Sequence, residues 1–287
     1  MPGDDTAVAQ MAPTNGQPRV RTYLQGEMDE PDVVRFGIGT VALVSYRSPI
    51  KDTPNEDAAA IIPYDRESGV LVVADGVGGS QGGEMASRLA VTALMQTVGQ
   101  AAHDHRPLRD AILNGIERAN ELVLELGTRA ATTLAVVEIQ GSRVRPYHVG
   151  DSMILVTGQR GRIKLQTISH SPIGYAVESG MLEEEEAVHH EDRHLVSNVV
   201  GMTDMRVEIG SELTLAPRDT LVLASDGLFD NFLVEDIIEH VRRGRVDGAA
   251  ERLALECRRR MDTPDAAHPS KPDDLTFLLY RQTPPTH

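Results

Sequence analysis

Residues 70–87 read VLVVADGVGGSQGGEMAS, and this stretch constrains the fold more than any other. Its first five residues are apolar and rich in β-branched side chains, which predicts a short strand covered on both faces. Asp75 follows directly, and the glycines after it permit a tight turn and a close approach of the backbone to a ligand. Asp75 is therefore either a ligand for a cation or a turn residue that accepts hydrogen bonds from backbone amides. The stretch alone favours neither.

The composition restricts the class of protein. The chain has 287 residues, of which 40% are hydrophobic and 25% are charged, as expected for a globular protein with a substantial core. Its net charge of -15 disfavours nucleic acid or an anionic membrane as a partner, and is compatible with carboxylates gathered around divalent cations. The single cysteine, Cys257, cannot form an internal disulfide. Because the sequence shows no signal-peptide pattern and no membrane-spanning run, we expect a cytoplasmic protein.

The pattern of apolar residues predicts the order of the elements. Residues 1–32 are expected to form a flexible N-terminal leader, with an edge strand near 19–24 as an open alternative. Residues 33–283 are expected to form one domain, in which residues 167–201 make a surface excursion with one short helix. Strand groups separated by paired helices predict an α+β fold, with two packed antiparallel sheets and helices outside them. Strands are predicted at 36–45, 55–62, 70–74, 132–139, 144–149, 153–157, 207–215, 220–224 and 275–280, and helices at 84–98, 108–126, 234–241 and 246–261.

Several acidic residues share the position of Asp75 at one end of an apolar strand. A carboxylate next to an apolar interior loses hydration, and several that converge repel each other unless cations are bound. Oxygen ligands of this kind suit Mg²⁺ and Mn²⁺. Each acid alone is more simply a turn cap or a solvated charge, and the pattern cannot show that they meet in space. The residues concerned are Glu56, Asp57, Asp151, Asp226 and the pair Asp273 and Asp274.

Other catalytic or metal-binding patterns are not convincing. The glycine-rich turn lacks the Lys-Ser/Thr ending of a nucleotide-binding P-loop, and Ser152 and Ser225 lack the setting of a nucleophile elbow. His189, His190 and His194 could ligate zinc, but no cysteine or HExxH pattern accompanies them. We therefore expect these histidines to be solvated surface residues.

Six sequence blocks, in order, resemble the metal-dependent serine/threonine protein phosphatases, the PPM or type 2C family, in their compact bacterial form. The excursion at 167–201 is similar to the flap segment of that family. The resemblance implies a four-layer α-β-β-α fold, in which a central β-sandwich of two antiparallel sheets is flanked by helix pairs. It also implies a site for two Mn²⁺ or Mg²⁺ ions at one end of the sandwich. The blocks lie at 55–58, at 74–79 with 83–87, at 132–134, at 149–152, at 225–228 with Asp230, and at 273–276.

The resemblance also implies roles for the acidic residues of the pattern other than Asp274. By position, Asp75 would bridge the two metal ions, and Asp57 would orient a metal-bound water. A water or hydroxide shared by the metals would then attack the phosphorus of phosphoserine or phosphothreonine. The remaining ligands would be Asp226 and Asp273 for the first ion, Glu56 for the second, the Gly76 carbonyl for one of the two, and Asp151 with Asp226 for a weaker third ion.

The sequence departs from the family at groups that carry positive charge. The position of the phosphate-binding arginine is Asp52, with Lys51 one residue before it. Lys51 supplies a point charge there, but not the bidentate fork of an arginine. Met153 replaces the arginine that usually follows Gly-Asp-Ser, Asn198 replaces the flap arginine, and Val77 stands where eukaryotic members have a histidine. The metal ligands are retained while cationic groups are lost, so Lys51 is the candidate for positioning the phosphate.

The leading hypothesis is a protein phosphatase that acts on phosphoserine or phosphothreonine. We expect its substrate to be a phosphoprotein that is the target of a cytoplasmic Ser/Thr kinase, and we expect a monomer without a nucleic-acid or membrane partner. One alternative is a metal-binding regulatory module with weakened catalysis. A second and less favoured alternative is a two-metal hydrolase of a small phosphoester. The retained metal ligands favour an active enzyme over the regulatory module.

Overall fold

The computed structural model describes residues 19–77, 81–127, 130–264 and 268–283. The strands in these ranges are β1 (Arg21–Leu24), β2 (Asp32–Phe36), β3 (Gly39–Tyr46), β4 (Ala58–Pro63), β5 (Ser68–Ala74), β6 (Gly76–Val77), β7 (Ala131–Thr132), β8 (Leu134–Gln140), β9 (Arg143–Val149), β10 (Met153–Thr157), β11 (Ile163–Gln166), β12 (Glu208–Ile209), β13 (Leu213–Thr214), β14 (Thr220–Ala224) and β15 (Leu275–Gln282). The helices are α1 (Gln81–Asp104), α2 (Leu108–Glu125), α3 (Pro172–Glu178), α4 (Glu184–Ala187), α5 (Asp226–Phe229), α6 (Val234–Val241) and α7 (Val246–Asp262), with a 3₁₀ helix at Glu191–His194.

Two antiparallel sheets form the centre of the fold. In the first sheet the strand order is β1-β4-β5-β8-β9-β12, and β13 also pairs with β9. In the second sheet the order is β11-β10-β14-β15-β3-β2. All of these pairs are antiparallel, which confirms the predicted α+β class. The short strands β6 and β7 pair separately, next to Asp75.

Three apolar clusters explain why the sheets and helices pack together. One cluster joins the inner faces of the two sheets, where Leu43, Leu71 and Leu278 are fully buried. A second joins the other face of the first sheet to α1 and α2, and a third joins the other face of the second sheet to α6 and α7. Along β5, Val72 faces the helices while Leu71 and Val73 face the second sheet, because successive side chains point to opposite faces. The three clusters correspond to the three contacts between layers in an α-β-β-α order.

Most of the predicted elements are present, with bounds that differ by a few residues. The strands β2, β6 and β11 and the helix α5 are additions to the prediction. Residues 1–18 of the predicted leader lie outside the described residues, whereas β1 pairs with β4, so the edge strand that the sequence left open is present. The limits of the leader and the domain, 1–32 and 33–283, stay a prediction. No helix in the described ranges is long and apolar enough to cross a bilayer.

The prediction of a single strand over 207–215 is wrong. The structure has two short strands there, β12 and β13, which pair with β9 on either side of Pro146. Between them, residues 210–212 face only two residues of β9, which is a bulge. Pro146 has no N–H to continue the ladder, although its carbonyl accepts a hydrogen bond from Gly210 N at 3.0 Å. The break therefore originates in the facing strand.

The excursion at 167–201 contains α3, α4 and the 3₁₀ helix, where the sequence predicts one short helix. Ser171 caps α3 by accepting a hydrogen bond from Gly174 N at 2.9 Å, and Pro172 occupies the first helical position. Glu183 and Glu186 form a capping box at the start of α4. Neither helix buries a residue. Local capping rather than an apolar face supports both helices, so apolar periodicity could not detect them.

Gly227 lies where α5 meets the start of β15. A Cβ at this position would lie 2.0 Å from the Asp274 carbonyl oxygen, which is held in the backbone. We therefore expect Gly227→Ala to lower the free energy of unfolding by about 3 kcal/mol, measured by urea denaturation. The matched control is Gly99→Ala on the exposed side of α1, where a Cβ meets nothing within 4 Å. It should stabilise the protein by about 1 kcal/mol, because alanine is the better helix former. Equal midpoints for the two variants would contradict this account of α5.

Candidate metal centre

The predicted acidic residues lie in segments that meet at one end of the two packed sheets, where the strands begin or end. In an antiparallel sheet the end of one strand lies beside the start of its neighbour. The start of β4 pairs with the end of β5, which brings the acidic pair before β4 next to Asp75. The end of β14 pairs with the start of β15, which brings Asp226 next to Asp273. Asp151 follows β9, whose end pairs with the start of β8, the neighbour of β5.

Asp75 is the centre of this group of carboxylates. Desolvation raises the pKa of Asp75 well above its usual range, and Asp57, Asp226, Asp273 and Asp151 raise it further. Carboxylates from five separate segments therefore act on one another. The structure brings together acids that the sequence pattern alone left scattered.

The carboxylates around Asp75 are perturbed in the same direction. Desolvation is the largest cause of the raised pKa of Asp57, Asp226 and Asp273. Desolvation, followed by the charge of Asp226, raises the pKa of Asp151 to about 7. A carboxyl group with a raised pKa is more stable when it is protonated or next to a cation. The group as a whole therefore favours cation binding.

Sequence reasoning missed Lys271, whose ammonium lies inside this group. Its Nζ lies 3.1 Å from Asp226 Oδ2, 3.1 Å from Asp273 Oδ2 and 2.5 Å from Asp230 Oδ2. Desolvation lowers the pKa of Lys271, but the three carboxylates outweigh it and hold the pKa well above its usual value. The lysine precedes a proline in a loop, 45 residues from Asp226, and no local pattern indicates that the two meet.

Lys51 contacts the same group from the loop that precedes β4. Its Nζ lies 2.9 Å from Asp274 Oδ2, 3.1 Å from Glu56 Oε2 and 3.6 Å from Asp273 Oδ1. Desolvation lowers the pKa of Lys51, while Asp274 and Asp273 raise it, and the net shift is upward. Asp274 also accepts hydrogen bonds from Ser48 N at 2.8 Å and Glu56 N at 2.9 Å. Asp274 thus fixes the loop that carries the lysine, a role that the sequence pattern does not show.

Thr132 and Thr133, in the sequence block at 132–134, fix the backbone of Asp75. The Asp75 carbonyl accepts hydrogen bonds from Thr132 Oγ1 and Thr133 N, both at 2.8 Å, and Asp75 N donates to Thr133 Oγ1 at 3.1 Å. Thr133 Oγ1 also lies 2.6 Å from Ser152 Oγ, beside Asp151. The block therefore links two of the acidic turns.

Gly76 lies where no side chain fits. A Cβ there would lie 2.4 Å from the Gly83 carbonyl oxygen and 2.9 Å from the Glu56 carbonyl oxygen. A Cβ at Gly83 would in turn lie 2.7 Å from Glu56 Oε1. The two glycines thus allow backbone carbonyls to approach the carboxylates closely.

These residues fit a divalent cation. Among the buried side-chain atoms of the described residues, Glu56 Oε1 and Asp57 Oδ1 have no hydrogen-bond partner. One carboxylate oxygen from each of Asp226, Asp230 and Asp273 lies within 4.8 Å of the other two. A donor set of oxygens alone suits Mg²⁺ or Mn²⁺. Such an ion would satisfy the unpaired atoms and offset the repulsion among the carboxylates.

A second cluster, formed by His148, His170 and Glu208, does not fit a metal. Gly150 N donates to His170 Nδ1 at 3.1 Å, and Asn198 Nδ2 donates to the same nitrogen at 2.8 Å. His170 Nε2 therefore carries the proton and donates to Glu208 at 3.2 Å, so it offers no lone pair to a metal. His148 stacks on His170 with ring centroids 4.4 Å apart. The stacked pair supports the turn at Gly150, which leads into an acidic position of the centre.

The three histidines of the excursion are surface residues, as predicted. His189 and His194 are exposed. His190 caps the 3₁₀ helix by accepting a hydrogen bond from Asp192 N at 3.1 Å. None of the three belongs to a metal-binding cluster in the part of the chain that the structure describes.

A cavity of about 320 Å³ lies between the excursion and the acidic centre. On one side it is lined by Asp151, Asp226 and Asp230. The other wall is mostly apolar and includes Ile173, Val177, Val188, Phe229 and Phe232. The cavity therefore joins a hydrophobic surface to the carboxylates.

Comparison with known proteins identifies the family to which this centre belongs. Residues 47–255 match the family described as Protein phosphatase 2C, and this range contains every block of the sequence pattern except the last, at 273–276. The chain belongs to this family. It is a metal-dependent protein serine/threonine phosphatase, a phosphoric monoester hydrolase, and enzymes of the family use Mn²⁺ or Mg²⁺.

Relatives of known sequence and structure agree with this assignment. Protein phosphatase PhpP of Streptococcus pneumoniae is 30% identical over 188 residues, which cover 62% of this chain and 74% of that protein. Serine/threonine phosphatase stp of Listeria monocytogenes is 26% identical over 201 residues, which cover 67% of this chain and 78% of that protein. The Streptococcus agalactiae serine/threonine phosphatase has a TM-score of 0.72 at 26% identity, with 85% of this chain and 99% of that chain covered. The catalytic domain of the phosphatase PstP, in complex with two manganese ions, has a TM-score of 0.65 at 25% identity, with 87% and 98% covered.

Repulsion among the carboxylates should make the charge of Asp75 destabilising in the metal-free protein. We expect Asp75→Asn, which keeps the shape and removes the charge, to raise the free energy of unfolding in chelator by at least about 1 kcal/mol. Mn²⁺ should stabilise the wild type strongly and the variant weakly, because the carboxylate at the centre of the acidic group is lost. Denaturant unfolding with and without Mn²⁺ measures both effects.

The control for Asp75→Asn is Asp219→Asn. Asp219 is ion-paired with Lys164 at 2.6 Å and accepts a hydrogen bond from Ala216 N at 2.8 Å. Its substitution should lower stability equally with and without Mn²⁺, since it lies in another ion pair. A loss of stability in Asp75→Asn under chelation would contradict the repulsion inferred here.

Proposed function

We propose that this phosphatase holds its metal ions around Asp75 and hydrolyses phosphoserine and phosphothreonine in proteins. The observation that carries the proposal is the convergence of carboxylates from four other segments on Asp75, with desolvation raising its pKa. When bound, the ions supply an activated water for the attack on phosphorus and positive charge for the reacting oxygens. The proposed ligands are Glu56, Asp75, the Gly76 carbonyl, Asp226 and Asp273 for two Mn²⁺ or Mg²⁺ ions, and Asp151 with Asp226 for a weaker third.

Asp57 is proposed to orient the attacking water. The side chain is buried, and its Oδ2 accepts a hydrogen bond from Ser225 Oγ at 2.8 Å. Ser225 Oγ is itself fixed, because it accepts a hydrogen bond from Thr276 N at 3.0 Å. The other carboxylate oxygen, Oδ1, has no partner among the described residues and can accept a hydrogen bond from water. One fixed and one free oxygen allow Asp57 to hold a water in a single orientation.

Lys51 is proposed to position the phosphate in place of the family's arginine. Its side chain is 30% exposed while its ammonium contacts Glu56 and Asp274, so a substrate can reach it at the edge of the centre. Asn198, at the position of the flap arginine, is buried and bonded to Arg206 through both ends of its amide, at 2.8 and 3.0 Å. Asn198 is therefore committed to internal contacts, and Lys51 is the better candidate for a phosphate ligand.

The substrate is proposed to be a phosphoprotein that is the target of a cytoplasmic Ser/Thr kinase. The cavity next to Asp151 and Asp226 offers an apolar surface to a side chain near the phosphorylated residue. The net charge of -15 opposes nucleic acid and anionic membranes as partners. We further propose that the enzyme acts as a cytoplasmic monomer, with residues 33–283 as its single catalytic domain behind the leader at 1–32.

A metal-binding regulatory module with weakened catalysis is a second candidate function. One observation favours it. In the described ranges, the basic side chains that contact the centre are lysines already paired with carboxylates. A lysine binds phosphate as a point charge and lacks the paired donors of arginine. Weak phosphate positioning would lower the rate even with the metal ions in place.

Removal of a metal ligand tests the proposed chemistry. With Mn²⁺, the wild type should release phosphate from a phosphothreonine peptide, and Asp273→Ala should lower kcat by at least about a thousandfold, because a metal ion is lost from the reacting centre. Glu121→Gln on the exposed face of α2 is the control and should keep full activity. Mn²⁺ binding without hydrolysis by the wild type would favour the regulatory module. Hydrolysis restricted to free nucleotides would contradict a protein substrate.

Substitution of Lys51 tests how the phosphate is positioned. At saturating Mn²⁺, Lys51→Met should lower kcat/KM for the phosphopeptide by about tenfold, because a charged hydrogen bond to phosphate is lost. Lys51→Arg should retain at least the wild-type value, since arginine offers paired donors. Lys164→Met serves as the control, because Lys164 pairs with Asp219 outside the centre. If Lys51→Met has the wild-type kcat/KM, another group must bind the phosphate.

A further inference from the structure

The Lys271 ammonium lies between carboxylates that are proposed to bind a metal ion. Its Nζ is 3.1 Å from Asp226 Oδ2 and 3.1 Å from Asp273 Oδ2. Oxygens of these two residues and of Asp230 lie within 4.8 Å of one another, close enough to share one cation. An ammonium at hydrogen-bond distance from both oxygens uses the space and the lone pairs that a metal ion needs there.

The presence of lysine at this position does not follow from the composition of the chain. The chain has 25 arginines and three lysines, yet two of the three lysines contact this centre. A guanidinium group is broad and planar, whereas an ammonium is a compact charge that can lie among carboxylates as a metal ion does. The centre therefore accommodates the rarer basic residue for a reason of size and shape.

We propose that Lys271 is the built-in counter-ion of the metal-free centre and competes with the divalent ion for Asp226 and Asp273. The inference rests on the proposed assignment of these two residues as metal ligands. In the metal-free protein, the ammonium offsets the repulsion among the carboxylates. A metal ion binds these oxygens only when the ammonium has left them. The affinity for the metal is therefore lowered by the contacts that the ammonium loses.

The structure provides a partner for the displaced ammonium. Asp230 Oδ2 lies 2.5 Å from Lys271 Nζ, and Asp230 is not among the proposed metal ligands. The backbone of Lys271 is fixed by Asn231, because Lys271 N donates to Asn231 Oδ1 at 2.9 Å and Asn231 Nδ2 donates to the Lys271 carbonyl at 2.8 Å. Asn231 is fully buried, so the side chain of the lysine can move while its anchor stays in place. The ammonium then remains paired with Asp230.

Mn²⁺ binding by Lys271→Met tests the competition. Methionine removes the charge with little change in length, so we expect about tenfold tighter Mn²⁺ binding than in the wild type, measured by the EPR signal of free Mn²⁺. In chelator, the same variant should unfold about 3 °C below the wild type, because the carboxylates lose their counter-ion. A general loss of structure would weaken Mn²⁺ binding and stability together, so the opposite signs are diagnostic.

Lys164→Met is the matched control for this experiment. Lys164 Nζ lies 2.6 Å from Asp219 Oδ2, in an ion pair outside the centre. The control should also unfold at a lower temperature in chelator, but it should bind Mn²⁺ with the wild-type affinity.

The possible results separate the competition from the metal centre itself. A Mn²⁺ affinity of Lys271→Met that equals or falls below that of the wild type would overturn the competition and leave the metal centre intact. Failure of both the wild type and Lys271→Met to bind Mn²⁺ would overturn the proposed metal ligands, and the competition with them.

Discussion

The burial of mutually repelling carboxylates around Asp75 is the constraint on which the rest of the structure depends. Desolvation raises the pKa of Asp75, Asp57 and Asp151, so the charged forms are disfavoured where the fold holds them. Such a group stays together only on rigid supports. The supports are strands packed on both faces, because one apolar cluster fills the space between the sheets and two more join the sheets to the helices. The stability of the core therefore permits an unfavourable arrangement at its edge.

Polar contacts join the two sheets at the end that carries the acidic residues. Ser225, which follows β14 of the second sheet, donates a hydrogen bond to Asp57, which precedes β4 of the first sheet. Asp274, before β15 of the second sheet, accepts hydrogen bonds from the Ser48 and Glu56 amides in the loop that enters β4. These contacts hold the loop that carries Glu56 and Asp57 against the second sheet. Preorganisation of this kind lowers the entropy that is lost when a metal ion or a substrate binds.

The sequence predicted most of the strands and the acidic character of the site, but not the convergence of the acidic residues. An apolar run such as 70–74 indicates that a strand is covered on both faces, but it does not indicate which strands lie beside it. Convergence depends on which strands pair, and the resemblance to a known family supplied it where periodicity could not. Lys271 was not predicted because its contact joins a loop to Asp226 at the start of α5, 45 residues away in the sequence. The prediction of a single strand over 207–215 was wrong for a related reason, since the break in that strand is caused by Pro146 on the facing strand.

The absence of arginines and the presence of lysines in this centre affect different states of the protein. Asp52 and Asn198 stand where the resemblance places arginines, and positive charge is found instead on Lys51 and Lys271, in direct contact with carboxylates. An arginine that binds phosphate contributes when the substrate is present. A lysine among carboxylates offsets their repulsion, and in the proposed competition a metal ion displaces Lys271 from Asp226 and Asp273. The two proposals thus divide the basic groups of the centre between two tasks, with Lys51 at the phosphate and Lys271 in competition with the metal ion.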